Sequence, residues 1–234
     1  MDKKLNNIVS KCSVHFNDWI TIIDEHRRIL SHPNEVSEEK YIERTYNLSD
    51  VLGQFSNMHL KYGAFKDKFD NSKMYLRHLG PELIIESEKT NNIFYLGVDL
   101  NGIYLRTHIK YSKNLRHMGD DFYGSIFTLM DLGEFDIQQH QFYSYSTESK
   151  YDKLFNNHKS KIFKLLRNYI VGIAEDESDI LLGDFYIHWG YHKYIEEILS
   201  NSCIAFKIFY KLNYALWKIN DLDKKKQKEF NSSL

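Results

Sequence analysis

Proline is nearly missing from this chain of 234 residues, which has two, Pro33 and Pro81. Pro-rich linkers and polyproline segments are therefore excluded, and helices can run long without a built-in breaker. Cysteine is equally scarce. Cys12 and Cys203 are the only two, which rules out a disulfide framework or a four-cysteine zinc module. Each falls in an apolar helical pattern and reads as a reduced core thiol. An excess of one charge is missing too, with 31 Lys and Arg against 32 Asp and Glu. Global electrostatic attraction to nucleic acid or to an anionic membrane is thereby excluded, leaving only local patches. Lys207, Lys211 and Lys218 interrupt the most apolar stretch, Cys203 to Ile219, so no uncharged run can span a bilayer. The first residues, MDKKLNNIVSKC, are too polar for a signal peptide. A cytoplasmic chain without membrane contact is expected.

Signature motifs are absent as well. There is no Walker A loop, no dinucleotide-binding glycine pattern, no nucleophile elbow and no CxxC, and no cofactor is expected. Alanine is down to four residues, beside 18 Asn, 17 Tyr and 15 Phe. That bias suggests an AT-rich coding genome, bacterial or phage. The tyrosines also carry physical content, because a tyrosine gives a binding interface large area with a polar tip.

What is present is clearest at the centre. In IFYLGVDLNGIYLRTHIK, Ile93 to Lys110, Asn101-Gly102 signals a two-residue type I′ hairpin turn with positive φ at both residues. That turn would pair Leu100 with Ile103, Val98 with Leu105, Leu96 with Thr107 and Phe94 with Ile109 on an apolar face. Asp99 with Tyr104, Gly97 with Arg106 and Tyr95 with His108 would make a polar face. Leu83 to Ser87 reads as a neighbouring strand, and Lys89 to Asn92 as the turn between. Ser125 to Tyr145 alternates weakly through Phe135, Ile137, Tyr143 and Tyr145, which predicts a further strand.

Helical periodicity flanks this centre. It covers Lys3 to Ser31, Glu38 to about Phe69 with a break near Ser49, Glu148 to Ala174, Ile180 to Leu199 and Ser200 to Asn220. The last of these is apolar on most sides, as a central core helix would be. The pattern therefore predicts one helix-rich α+β domain over residues 1–220. Its centre is an antiparallel hairpin or meander at about 83–110, extended by 125–145, and residues 221–234 form a polar, frayed tail.

Three constellations carry candidate chemistry. Asp184, His188, His192 and Glu196 recur every four residues, and on a helix two histidines so spaced can share a zinc ion with nearby carboxylates. A metal-dependent hydrolase would follow from that stripe. Asp120, Asp121, Asp131, Glu134 and Asp136 lack ligand spacing and read as a solvated acidic segment. Finally, Arg27-Arg28-Ile29-Leu30-Ser31-His32 resembles the Arg-x4-His signature of HEPN-family ribonucleases, and Arg167-Asn168 in Lys164 to Gly172 resembles it again, with Gly172 where the histidine would stand. The resemblance implies a helical dimer in which Arg27 and His32, or Arg167 and Asn168, face an RNA phosphate. The arginine would stabilise the pentavalent phosphate and the histidine would move the 2′-hydroxyl proton.

With no other chemistry in view, the sequence reads first as a binding protein rather than an enzyme. An inhibitor, immunity factor or accessory subunit in a bacterial or phage conflict system is expected, with another protein as partner. A HEPN-like ribonuclease, or an inactive RNA-binding derivative of one, is the alternative, with a possible homodimer and RNA as partner. The zinc stripe gives the third reading.

Overall fold

Residues alternating in and out build a sheet, and segments of 3.6-residue period cover it. The computed structural model describes residues 3–13, 19–32, 37–77, 80–99, 101–138, 158–174 and 182–232. Strands β1 (Phe69–Arg77), β2 (Gly80–Ser87), β3 (Ile93–Val98), β4 (Gly102–His108), β5 (Glu134–Gln138) and β6 (Asp184–Gly190) form one antiparallel sheet. Their order is β1-β2-β3-β4-β6-β5, so β1 and β5 are its edges. Helices α1 (Lys3–Ser13), α2 (Trp19–Ser31), α3 (Glu38–Gly63), α4 (Asp120–Leu132), α5 (His158–Ala174) and α6 (Ile195–Ser232) complete the expected α+β architecture.

One sheet face is the core. Leu83, Ile85, Phe94, Leu96, Ile103, Leu105, Phe185 and Ile187 are buried there, where β2, β3, β4 and β6 meet α3 or α6 and those two helices meet each other. Helix α6 is the spine of this layer, with Leu199, Cys203, Phe206, Phe209, Leu212 and Leu216 buried at helical spacing. Phe206 sits 4.8 Å from the Phe94 ring and 5.2 Å from that of His59. Burying such a phenylalanine stabilises the fold by roughly 2–3 kcal/mol. The core-helix expectation for Ser200 to Asn220 thus holds.

The hairpin keeps the expected faces but not the expected register. Val98 pairs with Ile103, Leu96 with Leu105, Phe94 with Thr107 and Tyr95 with Arg106, two residues away from the sequence-based alignment. The cause is Asp99. Its Oδ1 accepts the N–H groups of Asn101 at 2.8 Å and Gly102 at 3.0 Å, while its own N–H donates to the Gly102 carbonyl. The hairpin therefore closes on Asp99 and Gly102, one residue earlier than the expected Leu100 and Ile103, and Gly102 does not take positive φ. A slip of two preserves which side chains face inward. Leu100 lies outside the described residues.

Other boundaries move as well. Helix α3 runs through Ser49, whose hydroxyl bonds back to the Thr45 carbonyl instead of capping a new helix. It starts at the Ser37 cap and ends at Ala64 in the left-handed region. Within 125–145, residues to Leu132 belong to α4 and only Glu134–Gln138 is strand among the described residues. The segment expected as a helix from Ile180 to Leu199 is instead strand β6, a turn, and the first residues of α6. Finally, α6 continues to Ser232, through the stretch expected as a frayed tail, with a Lys225–Asp221 ion pair one turn apart.

Candidate interaction surface

The second face of the sheet is polar, and strand pairing sets it out in rows. One row runs Tyr75, Glu82, Gly97, Tyr104, His188, Glu134, and the next runs Lys73, Ile84, Tyr95, Arg106, Tyr186, Asp136. At the centre, Arg106 donates through Nη2 to Glu82 at 3.2 Å and through Nη1 to Asp184 at 3.0 Å. Its guanidinium lies 4.0 Å from the Tyr95 ring centroid, a cation–π contact. Asp184 also meets His108 Nδ1 at 2.9 Å.

Glu82 is fully buried. It is held by Arg106, by Arg77 at 2.6 Å and by the Tyr104 hydroxyl, which donates at 2.7 Å. Tyr104 reaches it by lying over Gly97, where any Cβ would run into the ring. Burial, then the Glu82 carboxylate, push the Tyr104 phenol far above its ordinary value, so it is a fixed donor. Burial works against ionised Asp184, yet the bonds from His108 and Arg106 win and hold its carboxyl below the usual carboxylate range. Tyr104→Phe keeps the ring and removes the donor. It is expected to cost about 2 kcal/mol, the worth of a hydrogen bond to a buried charge. Thermal melting checks it, and an unchanged midpoint would show that the two arginines satisfy Glu82 alone.

His188 stands between two carboxylates at ion-pair rather than hydrogen-bond distance. Its Nε2 is 3.7 Å from Asp99 Oδ1 and its Nδ1 3.8 Å from Glu134 Oε2. Burial would raise the Asp99 carboxyl, but His188 and the N–H groups of Asn101 and Gly102 hold it below its ordinary value.

Among the described residues, no strand pairs with the outer edge of β1. A bulge between Asp70 and Lys73, and Lys73 itself, protect its first half in the way natural edge strands are protected. The second half carries Met74, Tyr75 and Leu76, with Tyr75 56% and Leu76 68% exposed on opposite faces.

The residues singled out from sequence are dispersed. Asp184 and His188 share the polar face of β6, His192 is exposed in the turn after it, and Glu196 is exposed in the first turn of α6. The helical stripe that would gather them does not exist, because β6 is a strand. Among the described residues no group of three or more His, Cys, Asp and Glu could hold a metal ion. Arg27 is on α2 with its guanidinium 5.5 Å from the Tyr191 ring, and His32 is exposed just past that helix. Arg167 is exposed on α5, whereas Asn168 is buried and donates to the Leu182 carbonyl at 3.4 Å. Helix α2 packs on α3, and α5 on α4 and β5.

Glu82, Tyr104, Arg106 and Tyr186 went unnoticed as a group. The alternation of Asp184-Phe185-Tyr186-Ile187-His188-Trp189 was the available signal, since period two places Asp184, Tyr186 and His188 on one face. No helix among the described residues is long and apolar enough to cross a membrane. No family model, curated protein or solved structure matches the chain.

Proposed function

We propose that this chain acts by binding another protein, as an inhibitor, immunity factor or accessory subunit, and takes an extended segment of that partner as a strand beside β1. The observation that carries this reading is the unprotected half of the edge, Met74 to Arg77, with Tyr75 and Leu76 more than half exposed. An edge strand offers a row of backbone donors and acceptors to any extended segment, and alternate side chains then select which segment fits. Tyr75 supplies rigid amphipathic area on the polar face. Arg77 is anchored beside it by buried Glu82, which keeps its cation at the edge. The surplus of tyrosine in the composition supports the same reading.

Tyr75→Lys combined with Leu76→Lys tests it. Both positions are exposed, so stability should change by less than about 1 kcal/mol. Wild-type chain used as bait in a lysate of cells that carry it should enrich a specific protein, and RNase treatment should leave that capture intact. The double variant should lose it, because lysines on an edge oppose strand addition. Capture abolished by RNase, or retained in full by the double variant, would remove the basis for this function.

A further inference from the structure

At the opposite end of the polar face, beside β5, lies a depression of about 370 Å³, within the range of small-molecule sites. Tyr186 and His188 stand in its wall, their rings parallel to within 7° and their centroids 6.4 Å apart. His188 is 8% exposed, and its Nε2 has no hydrogen-bond partner. Asn101, Glu134, Gln138 and Lys161 complete the rim. The two ring nitrogens of His188 face Asp99 and the rim carboxylate of Glu134, which fix the ring in the wall.

We propose that this depression binds a flat nitrogen heterocycle bearing an exocyclic amine, that is, an amino nucleobase, as a nucleoside or as an unpaired base of a single strand. The two parallel rings, 6.4 Å apart, present parallel aromatic faces to a flat ligand, and aromatic stacking tolerates any base. The rim then selects. The Glu134 side chain is 79% exposed, with His188 as its neighbour at 3.8 Å, so its oxygens can accept from an amine. Carboxylates accept from the cytosine amine, and Asn or Gln amides pair with adenine. Uracil has a carbonyl where cytosine has the amine, and would face the carboxylate unpaired. Lys161 and Lys164 lie 2.8 Å and 3.6 Å from Asp136. With Glu134 on the same rim, these two cations meet two carboxylates, so the rim carries no surplus positive charge for a phosphate. Burial, then the Asp99 and Glu134 carboxylates, keep the Tyr186 phenol protonated.

The test is a titration of the purified full chain with cytidine, adenosine and uridine, followed by nuclear magnetic resonance shifts of the protein. Saturable binding at millimolar concentration or below is expected, with cytidine or adenosine preferred over uridine by about tenfold. Glu134→Ala, at an exposed position, should erase the advantage of cytidine over uridine without affecting folding. Tyr186→Leu should weaken every nucleoside by about tenfold or more. A cytosine or adenine oligonucleotide separates the two sources. Tighter binding than the nucleoside assigns an unpaired base of a strand, and equal binding assigns the free nucleoside. The proposal is overturned by no saturable binding of any of these probes, by uridine binding as well as cytidine and adenosine, or by a cytidine preference that survives Glu134→Ala.

Discussion

A chain carrying Gly102→Val should lose about 3 kcal/mol or more of stability, at or beyond the upper end of overpacking penalties. Gly102 opens β4 opposite Gly190 of β6. A Cβ placed there would run into the Trp189 carbonyl oxygen and come within 3.0 Å of His188 Nε2. The obstacle is backbone in the middle of a sheet, which cannot rotate aside as a flexible side chain could. The strands would have to part, at a cost in ladder hydrogen bonds. From sequence alone the same substitution looks harmful for another reason, the positive φ of a type I′ turn. The two accounts separate on Gly102→Asn, because asparagine tolerates positive φ but not a blocked Cβ. Urea unfolding of both variants decides. Asparagine is expected to be about as damaging as valine, and an asparagine variant near wild-type stability would refute the steric account.

Lowering the pH should destabilise the protein well before its carboxylates titrate, because of His59. Burial lowers the His59 pKa from an ordinary value near 6.5 to about 3, so the folded chain holds it neutral. The unfolded chain binds a proton there below about pH 6.5, and proton uptake by the unfolded state favours unfolding. Stability is therefore full above that pH. It declines by about 1.4 kcal/mol per unit on the way down, to a total on the order of 4–5 kcal/mol near pH 3. The lowered carboxyls of Asp99 and Asp184 act in another window. Their contribution is present above the ordinary carboxylate value and lost as pH falls through the lower folded one, so it fades only below about pH 4. His59→Leu should flatten the slope between pH 6.5 and 4.5. Ser202, which meets His59 Nε2 at 2.9 Å, keeps its bond to the Leu199 carbonyl at 3.1 Å. Urea midpoints at several pH values test this, and an identical slope in the variant would assign the acid sensitivity to other groups.

Local pattern explains both what was legible in the sequence and what was not. The hairpin faces were readable because alternation survives a register slip of two. The register itself was not, because one carboxylate, Asp99, outbid the turn preference of Asn101-Gly102. Strand β6 was misread for an arithmetical reason: a spacing of four is a multiple of two as well as nearly one helical turn. Asp184 and His188 are therefore level with each other on a strand just as they would be on a helix. The centre of the polar face was out of reach for a different reason. Glu82 meets Arg106 across 24 positions and Arg106 meets Asp184 across 78, and no periodicity carries information over that distance. The exposed edge at β1 was hidden too, since the helical pattern ends near Phe69 and the bulge between Asp70 and Lys73 breaks the alternation that would mark a strand.

The place of α6 in the core also governs how the chain comes off the ribosome. Phe94 belongs to a hairpin whose strands are adjacent in sequence, whereas Phe206, the ring packed against it, follows about 110 residues later. At roughly 5–20 residues per second of synthesis, the finished hairpin waits on the order of 5–20 seconds for its cover. Helix α3, made earlier, already packs on β2 and β3, but throughout that interval the strip of sheet face that α6 seals, around Phe94, stays bare to the cell, as client surface for a chaperone or as a seed for coaggregation between neighbouring nascent chains.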